Sequence, residues 1–426
     1  MSAFHVPRPI LLTVGTLGLL GLCVGVFADA DAGTVESTLT VAHAPVGVPG
    51  ENPLDAIEAD AALDFEVPRR LEDPPIARAT PLPAELDLLS KARPDANGRL
   101  VLGTGDQTRT LTVDPELQAQ LTRILQSYET PFAAVVAIEP STGRVLAMAE
   151  HSHAQPTLRG LPVKAVFPAA SIFKIVTAAA LLEAGVGPED EECSQGGLRT
   201  ISLKHLKDSR GDRECHSLSR ALAMSANAVF AKMTVKHLTA QRLLRAAELF
   251  GFNRPIDFPI PVEPSLIAVP EEPLALARTG AGFGDAFLSP LHGAVLAAVA
   301  ANGGVWRAPV LFEDQAPAPA GERVISEAHA AALTEMMSET VTQGTARRVF
   351  RERGYRVPGA VGKTGSLADK RPFRDYSWFV GFAPRDNPKI AVAAVVVNEP
   401  KWRIRATWVG REALRLGLDQ VESVER

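Results

Sequence analysis

The chain has 426 residues, 46% of them hydrophobic and 22% charged, with a formal net charge of -5. That is an ordinary globular composition, with room for one large domain or two ordinary ones. No basic run stands out against the negative balance, which argues against a nucleic-acid partner.

From Ile10 to Ala28 there is no charged residue. As a helix, that run covers about one bilayer thickness at ~1.5 Å per residue. Arg8 precedes it and Asp29, Asp31 and Glu36 follow. The asymmetry makes residues 1–9 a cytoplasmic tail, residues 10–28 a single-pass membrane anchor, and the body extracytoplasmic or periplasmic. The competing reading is a cleaved signal peptide, because Ala28-Asp29-Ala30 and Ala30-Asp31-Ala32 have the small-x-small form. The length of the apolar run favours the retained anchor. Cys23 lies inside it and reads as an apolar membrane-facing residue. With the body exported, Cys193 and Cys215 meet an oxidising environment. Two readings fit them, a disulfide or two buried thiols, and the polar, glycine-containing stretch between them favours the staple.

Residues 29–108 are rich in proline, alanine and acidic residues, including Pro45, Pro49, Pro53, Pro68, Pro74, Pro75, Pro81 and Pro83. With little periodicity, they read as a flexible, largely extended linker, with room for a small docking element near Leu86 to Leu89. Order is expected from about Leu111, so the folded domain spans 109–426. Asp114-Pro115 is a helix start, and that helix runs to about Gln126. Phe132 to Ile138 reads as a buried strand, Pro140-Ser-Thr-Gly143 as a turn, and Arg144 to Ala149 as the returning strand. A helix apolar nearly all round runs from Ser171 to about Ala184 and ends at Gly185. Residues 186–285 read as helices and loops, with Asp212-Arg-Glu214 as a surface turn. Further helices begin at Ser289-Pro290 and Ser326. Strand-like runs cover Ala360–Leu367, Ser377–Phe382 and Ile390–Val397, and a short helix follows Thr407. This order predicts an α+β fold with one antiparallel sheet of about five strands and helices on its faces.

Three short motifs carry chemistry. Ser171 and Lys174 share a helix face, being three residues apart. A serine hydroxyl is a weak nucleophile, and a lysine amine can serve as its base where burial or a second cation favours the neutral form. The pattern alone carries little weight, since roughly one or two matches arise by chance in a chain this long. Ser225-Ala226-Asn227, in an apolar setting, supplies a hydroxyl to relay a proton and an amide to hold a substrate amide. Lys363-Thr364-Gly365, followed by Ser366 on a predicted strand, supplies a cation for a carboxylate and a glycine that lets a substrate backbone approach.

In this order the motifs resemble those of the penicillin-recognising serine enzymes. Phe167-Pro-Ala-Ala-Ser-Ile-Phe-Lys-Ile-Val-Thr177 is similar to the nucleophile segment of penicillin-binding transpeptidases. Leu111 to Gln118, Gly280 to Gly304, Gly344-Thr-Ala346 and Trp378 to Pro384 match as well, so the resemblance covers about 110–420. It implies a transpeptidase/β-lactamase-like fold, with a helical subdomain that carries the second motif. It also implies a peptidoglycan D,D-transpeptidase. In that reaction Lys174 deprotonates Ser171, and Ser171 attacks the carbonyl between two terminal D-alanines. The backbone N–H groups of Ser171 and Ser366 form the oxyanion hole. Ser225 passes a proton to the leaving amine, Asn227 holds the donor amide, and Lys363 with Thr364 recognises the terminal carboxylate. The implied partners are peptidoglycan stem peptides, β-lactams, the membrane and other cell-wall synthesis proteins. No cofactor is implied and no metal, His151-Ser-His153 reading as a solvated loop. Two features depart from the family. Upstream of residue 110 neither a glycosyltransferase domain nor a large pedestal is recognisable, and Pro168-Ala-Ala stands where Pro-Gly is usual. The alternatives left open are a D,D-carboxypeptidase, a β-lactamase-like hydrolase or sensor, and a non-catalytic cell-wall scaffold.

Overall fold

A computed structural model describes residues 75–197, 201–315 and 321–425. The expected anchor and the first part of the expected linker lie outside these residues. Among the described residues no helix is long and apolar enough to cross a membrane. Residues 75–108 are not the extended linker expected. Pro75–Arg78 is a 3-10 turn, and Leu88–Lys91 is a short helix capped by the Asp87 carboxylate. Arg93–Pro94, Leu100–Leu102 and Arg109–Thr110 pair as a small antiparallel sheet. Ile76 is fully buried, while Leu82, Leu88, Leu89, Leu100 and Leu102 pack half-buried on the main core. These apolar residues anchor one at a time on the body. They therefore leave no helical or strand period in a proline-rich sequence.

Helix α1 (Pro115–Ser127) begins at Asp114, whose carboxylate accepts from Leu117 N at 2.7 Å. Leu117, Leu121 and Leu125 recur every fourth residue and lay one stripe on the sheet. Strands β1 (Phe132–Ile138) and β2 (Val145–His151) form the opening hairpin. Helix α2 (Lys174–Glu183) follows the segment that carries Ser171. The hairpin β3 (Glu191–Ser194) and β4 (Glu214–Ser217) leads into α3 (Leu218–Ala223), α4 (Asn227–His237), α5 (Ala240–Leu249) and α6 (Pro273–Gly280). Two long helices, α7 (Pro290–Ala301) and α8 (Glu327–Thr342), precede strands β5 (Val361–Lys370), β6 (Phe373–Ala383) and β7 (Ile390–Asn398). Helix α9 (Ala406–Glu425) closes the described chain.

The main sheet is antiparallel throughout, in the order β5-β6-β7-β1-β2. Its inner strands are covered on both faces. Along β1, Phe132, Ala134, Val136 and Ile138 enter one core with α2 and α7. Ala133, Val135 and Ala137 enter the other with α1 and α9. Burial on both faces explains why β1 and β7 read as unbroken apolar runs rather than alternating ones. The fold is the α+β architecture expected. Some boundaries differ. Strands β5 and β6 run on to Lys370 and Phe373, because their polar ends (Asp369, Lys370, Arg374, Asp375) still pair as a hairpin. Helix α9 has 20 residues rather than being short.

Candidate active site

Ser171 lies in a 3-10 turn, Ala170–Phe173, that runs straight into α2. The expected helix therefore starts at Lys174, and Ser171 sits one turn ahead of it. Ala170 holds a left-handed backbone, with φ of 48°. A side chain there costs about 1–2 kcal/mol, so surrounding packing must hold the turn. Trp378 Nε1 donates to Pro168 O at 2.8 Å, and its ring meets Phe167 edge-on. Gly282, at φ +88°, passes so close that a Cβ would come 2.5 Å from Ala170 O. On the other side, a Cβ on Gly365 would come 3.2 Å from Ile172 N. Both glycines let backbone approach the nucleophile turn.

The fully buried Lys174 gathers the site. Its Nζ lies 2.8 Å from Ser171 Oγ, 2.7 Å from Asn227 Oδ1, 2.8 Å from Ala281 O and 3.4 Å from Ser225 Oγ. The rings of Phe230 and Phe283 stand 5.6 and 5.8 Å from it. Ser225 lies just past the end of α3 in a left-handed conformation, φ 56°, and Asn227 opens α4. This tight turn brings both side chains back to Lys174. Lys363 is also fully buried on the edge strand β5, and its Nζ donates to Ser225 Oγ at 3.0 Å and Thr364 O at 2.7 Å. Both amines thus converge on one hydroxyl oxygen. Thr364 Oγ1 lies 2.5 Å from Thr345 Oγ1, in the turn after α8. Ser366 is buried two positions further along β5.

The structure thus brings Ser171, Lys174, Ser225, Asn227 and Lys363 into one hydrogen-bonded cluster. Thr364, Gly365 and Ser366 continue along the adjoining strand. Cys193 and Cys215 lie outside the cluster, opposite each other on β3 and β4, joined as a disulfide. Sequence reasoning missed the Ala281 carbonyl and the Gly282 turn. Their signal is the alternation Gly280-Ala-Gly-Phe-Gly284, which marks backbone approach without saying to what. Among the described residues no group of three or more His, Cys, Asp or Glu could hold a metal ion.

A serine held against a buried lysine, with a second serine and a second lysine behind them, has the groups that nucleophilic acyl transfer requires. The model of the penicillin binding protein transpeptidase domain matches residues 133–409, and the chain belongs to that family. It is similar to the peptidoglycan D,D-transpeptidase PbpA of Mycolicibacterium smegmatis, with 29% identity over 64% of this chain and 63% of that one. The chain thus spans somewhat less than two thirds of the length of such curated relatives. Among solved structures, that of PBPA from Mycobacterium tuberculosis superposes with a TM-score of 0.59 at 26% identity, covering 72% of this chain and 80% of the other. The imipenem acyl-enzyme complex of the same protein matches with equal score and identity, over 72% and 79%.

Proposed function

We propose that this protein is a serine-type peptidoglycan D,D-transpeptidase that works through a Ser171 acyl-enzyme and is acylated by β-lactams. The observation that carries the reading is the inventory around Lys174 Nζ. Asn227 Oδ1 and Ala281 O can only accept hydrogen bonds, so each takes an N–H. Of the two hydroxyls beside it, Ser171 Oγ at 2.8 Å is nearer than Ser225 Oγ at 3.4 Å, and a neutral amine would present its lone pair to the Ser171 proton. Burial and a neighbouring cation are the conditions under which a lysine amine serves as a base, and Lys363 Nζ lies behind Ser225, 3.0 Å from its Oγ.

The cycle follows. Lys174 takes the proton as Ser171 Oγ bonds to the carbonyl carbon between the two terminal D-alanines. The backbone N–H groups of Ser171 and Ser366 hold the oxyanion. The C–N bond breaks as Ser225, bonded to Lys363, hands its proton to the departing D-alanine nitrogen and takes in its place the proton that Lys174 received from Ser171. Asn227 holds the donor amide, while Lys363 and Thr364 take the terminal carboxylate. An amine from a second stem then attacks the ester, gives a proton to the now neutral Lys174, and Lys174 returns it to Ser171 Oγ as the ester C–O bond breaks. A β-lactam enters the same step, but its leaving nitrogen stays tethered and blocks the second attack. The proposal includes an extracytoplasmic body held to the cell membrane through residues 10–28, and the Cys193–Cys215 bond fits that compartment.

The relatives' names and the imipenem complex of the M. tuberculosis protein support this reading. Product analysis tests it. With a D-Ala-D-Ala stem peptide and an added amine acceptor, the peptide–amine adduct should exceed the hydrolysed peptide. Hydrolysis that the acceptor leaves unchanged would make the enzyme a carboxypeptidase instead.

A further inference from the structure

The helix that presents Asn227 is gripped from behind by a disulfide-closed excursion, and the grip centres on a buried charge that the reaction does not use. Asn227 stands at the start of α4 and faces Lys174. Lys232 lies five residues on, about 140° around the helix, and its side chain is only 1% exposed. Its Nζ donates to Cys193 O at 2.7 Å and Asp212 Oδ2 at 2.6 Å, with Asp208 at 3.1 Å and Glu192 at 3.4 Å. One turn later Lys236 lies 2.8 Å from both Glu192 and Asp208. Asp212, which the sequence suggested was part of a surface turn, points inward instead and is fixed by Ser209 N at 3.0 Å.

All these acceptors belong to the excursion between Glu191 and Ser217. The same excursion passes the first turn of α4 so closely that a Cβ on Gly197, at φ +77°, would come 2.6 Å from Ala228 Cβ. Cys193 serves twice. Its carbonyl accepts from Lys232, and its sulfur joins Cys215 across the hairpin, 22 residues away in sequence. The helix is thus held between the nucleophile helix on one side and the closed excursion on the other. The charges are firmly kept. Burial pulls the Lys232 amine down, but its bonds to Asp212 and Asp208 outweigh that and hold it above the usual lysine range. Lys236 and Lys232 in turn hold the Asp208 carboxyl below its ordinary value, and Lys232 does the same for Asp212.

We infer that Lys232 is a positioning residue for Asn227 and Ser225, and that the Cys193–Cys215 excursion is the brace through which it acts. A buried ammonium among three carboxylates tolerates little displacement, because moving it leaves uncompensated charge in the interior. Helix α4 is thereby set in one rotation and height, the one that brings Asn227 Oδ1 to 2.7 Å from Lys174. This inference rests on the acyl-enzyme reading above.

The test separates binding from acylation, using labelled penicillin and the full chain. The double variant K232M/D212N removes the ammonium together with its closest carboxylate, leaving Glu192 and Asp208 to Lys236. The acylation rate constant should fall roughly tenfold, short of the ~100-fold that a 1 Å misplacement costs. The dissociation constant for the preceding encounter should stay within about twofold, and K232R should recover most of the rate. Reducing the disulfide in wild-type protein should lower the same constant, and this arm decides the matter if the double variant does not fold. Wild-type acylation rates in both the folded double variant and the reduced wild type would overturn the brace while leaving the acyl-enzyme reading intact. A wild type that takes no label at all would overturn both.

Discussion

His292 offers a stability prediction whose size follows from its surroundings. It sits on α7, fully buried, with its ring between Phe252 and Trp306 at centroid distances of 4.9 and 5.7 Å. Nε2 lies 2.7 Å from Phe250 O, which requires a proton on that nitrogen and leaves Nδ1 as a buried acceptor without a partner. Among the described residues no carboxylate pairs with it. Burial therefore lowers its pKa from 6.5 to about 4, against a smaller opposing contribution from the Phe250 carbonyl. Between those values the unfolded chain binds the proton and the folded chain does not, so stability falls as pH drops below 6.5 and levels off below about 4. A shift of this size corresponds to about 3 kcal/mol in all, of which about 2.5 kcal/mol is lost by pH 4.5. H292Q keeps a donor for Phe250 O and removes the titration. Urea unfolding of both proteins at pH 7.5 and 4.5 checks this. Wild type should lose about 2.5 kcal/mol more than H292Q over that interval. Equal losses in the two proteins would refute the reasoning.

Two further predictions concern the nucleophile turn. Ala170 holds φ 48° immediately before Ser171, so A170G should relieve strain and raise the unfolding free energy by about 1 kcal/mol, measured by denaturant titration. The opposite change at the facing loop, G282A, puts a Cβ 2.5 Å from Ala170 O at a φ of +88°. It should lower the penicillin acylation rate by roughly 100-fold through displacement of the turn, measured by stopped-flow fluorescence of a labelled penicillin.

Much of this was legible in the sequence because burial and composition agreed. The uncharged run at β1, the all-apolar face of α2 and the Asp114-Pro115 start each reflect a single strong local rule. The three motifs were legible as residues, and their chemistry named the cluster that the fold then assembles. What stayed hidden depends on long-range contact. Nothing near Ala281 in the chain says that its carbonyl receives Lys174. Nothing near Asp212 distinguishes a turn at the surface from one aimed at Lys232, since an aspartate in a glycine-containing loop fits either. Of the segment 75–108 only the docking element near Leu86 to Leu89 was anticipated, because proline suppresses periodicity while isolated leucines still dock. The polar ends of β5 and β6 escaped because charged residues on paired strands look like a loop.

Acylation of Ser171 is the central claim, and intact-protein mass spectrometry after brief exposure to a β-lactam tests it most directly. The wild type should gain the mass of one β-lactam, mapped by peptide digestion to the segment containing Ser171, while Ser171→Ala should gain none. A wild type that stays unmodified, or an alanine variant that is modified equally, would contradict the account.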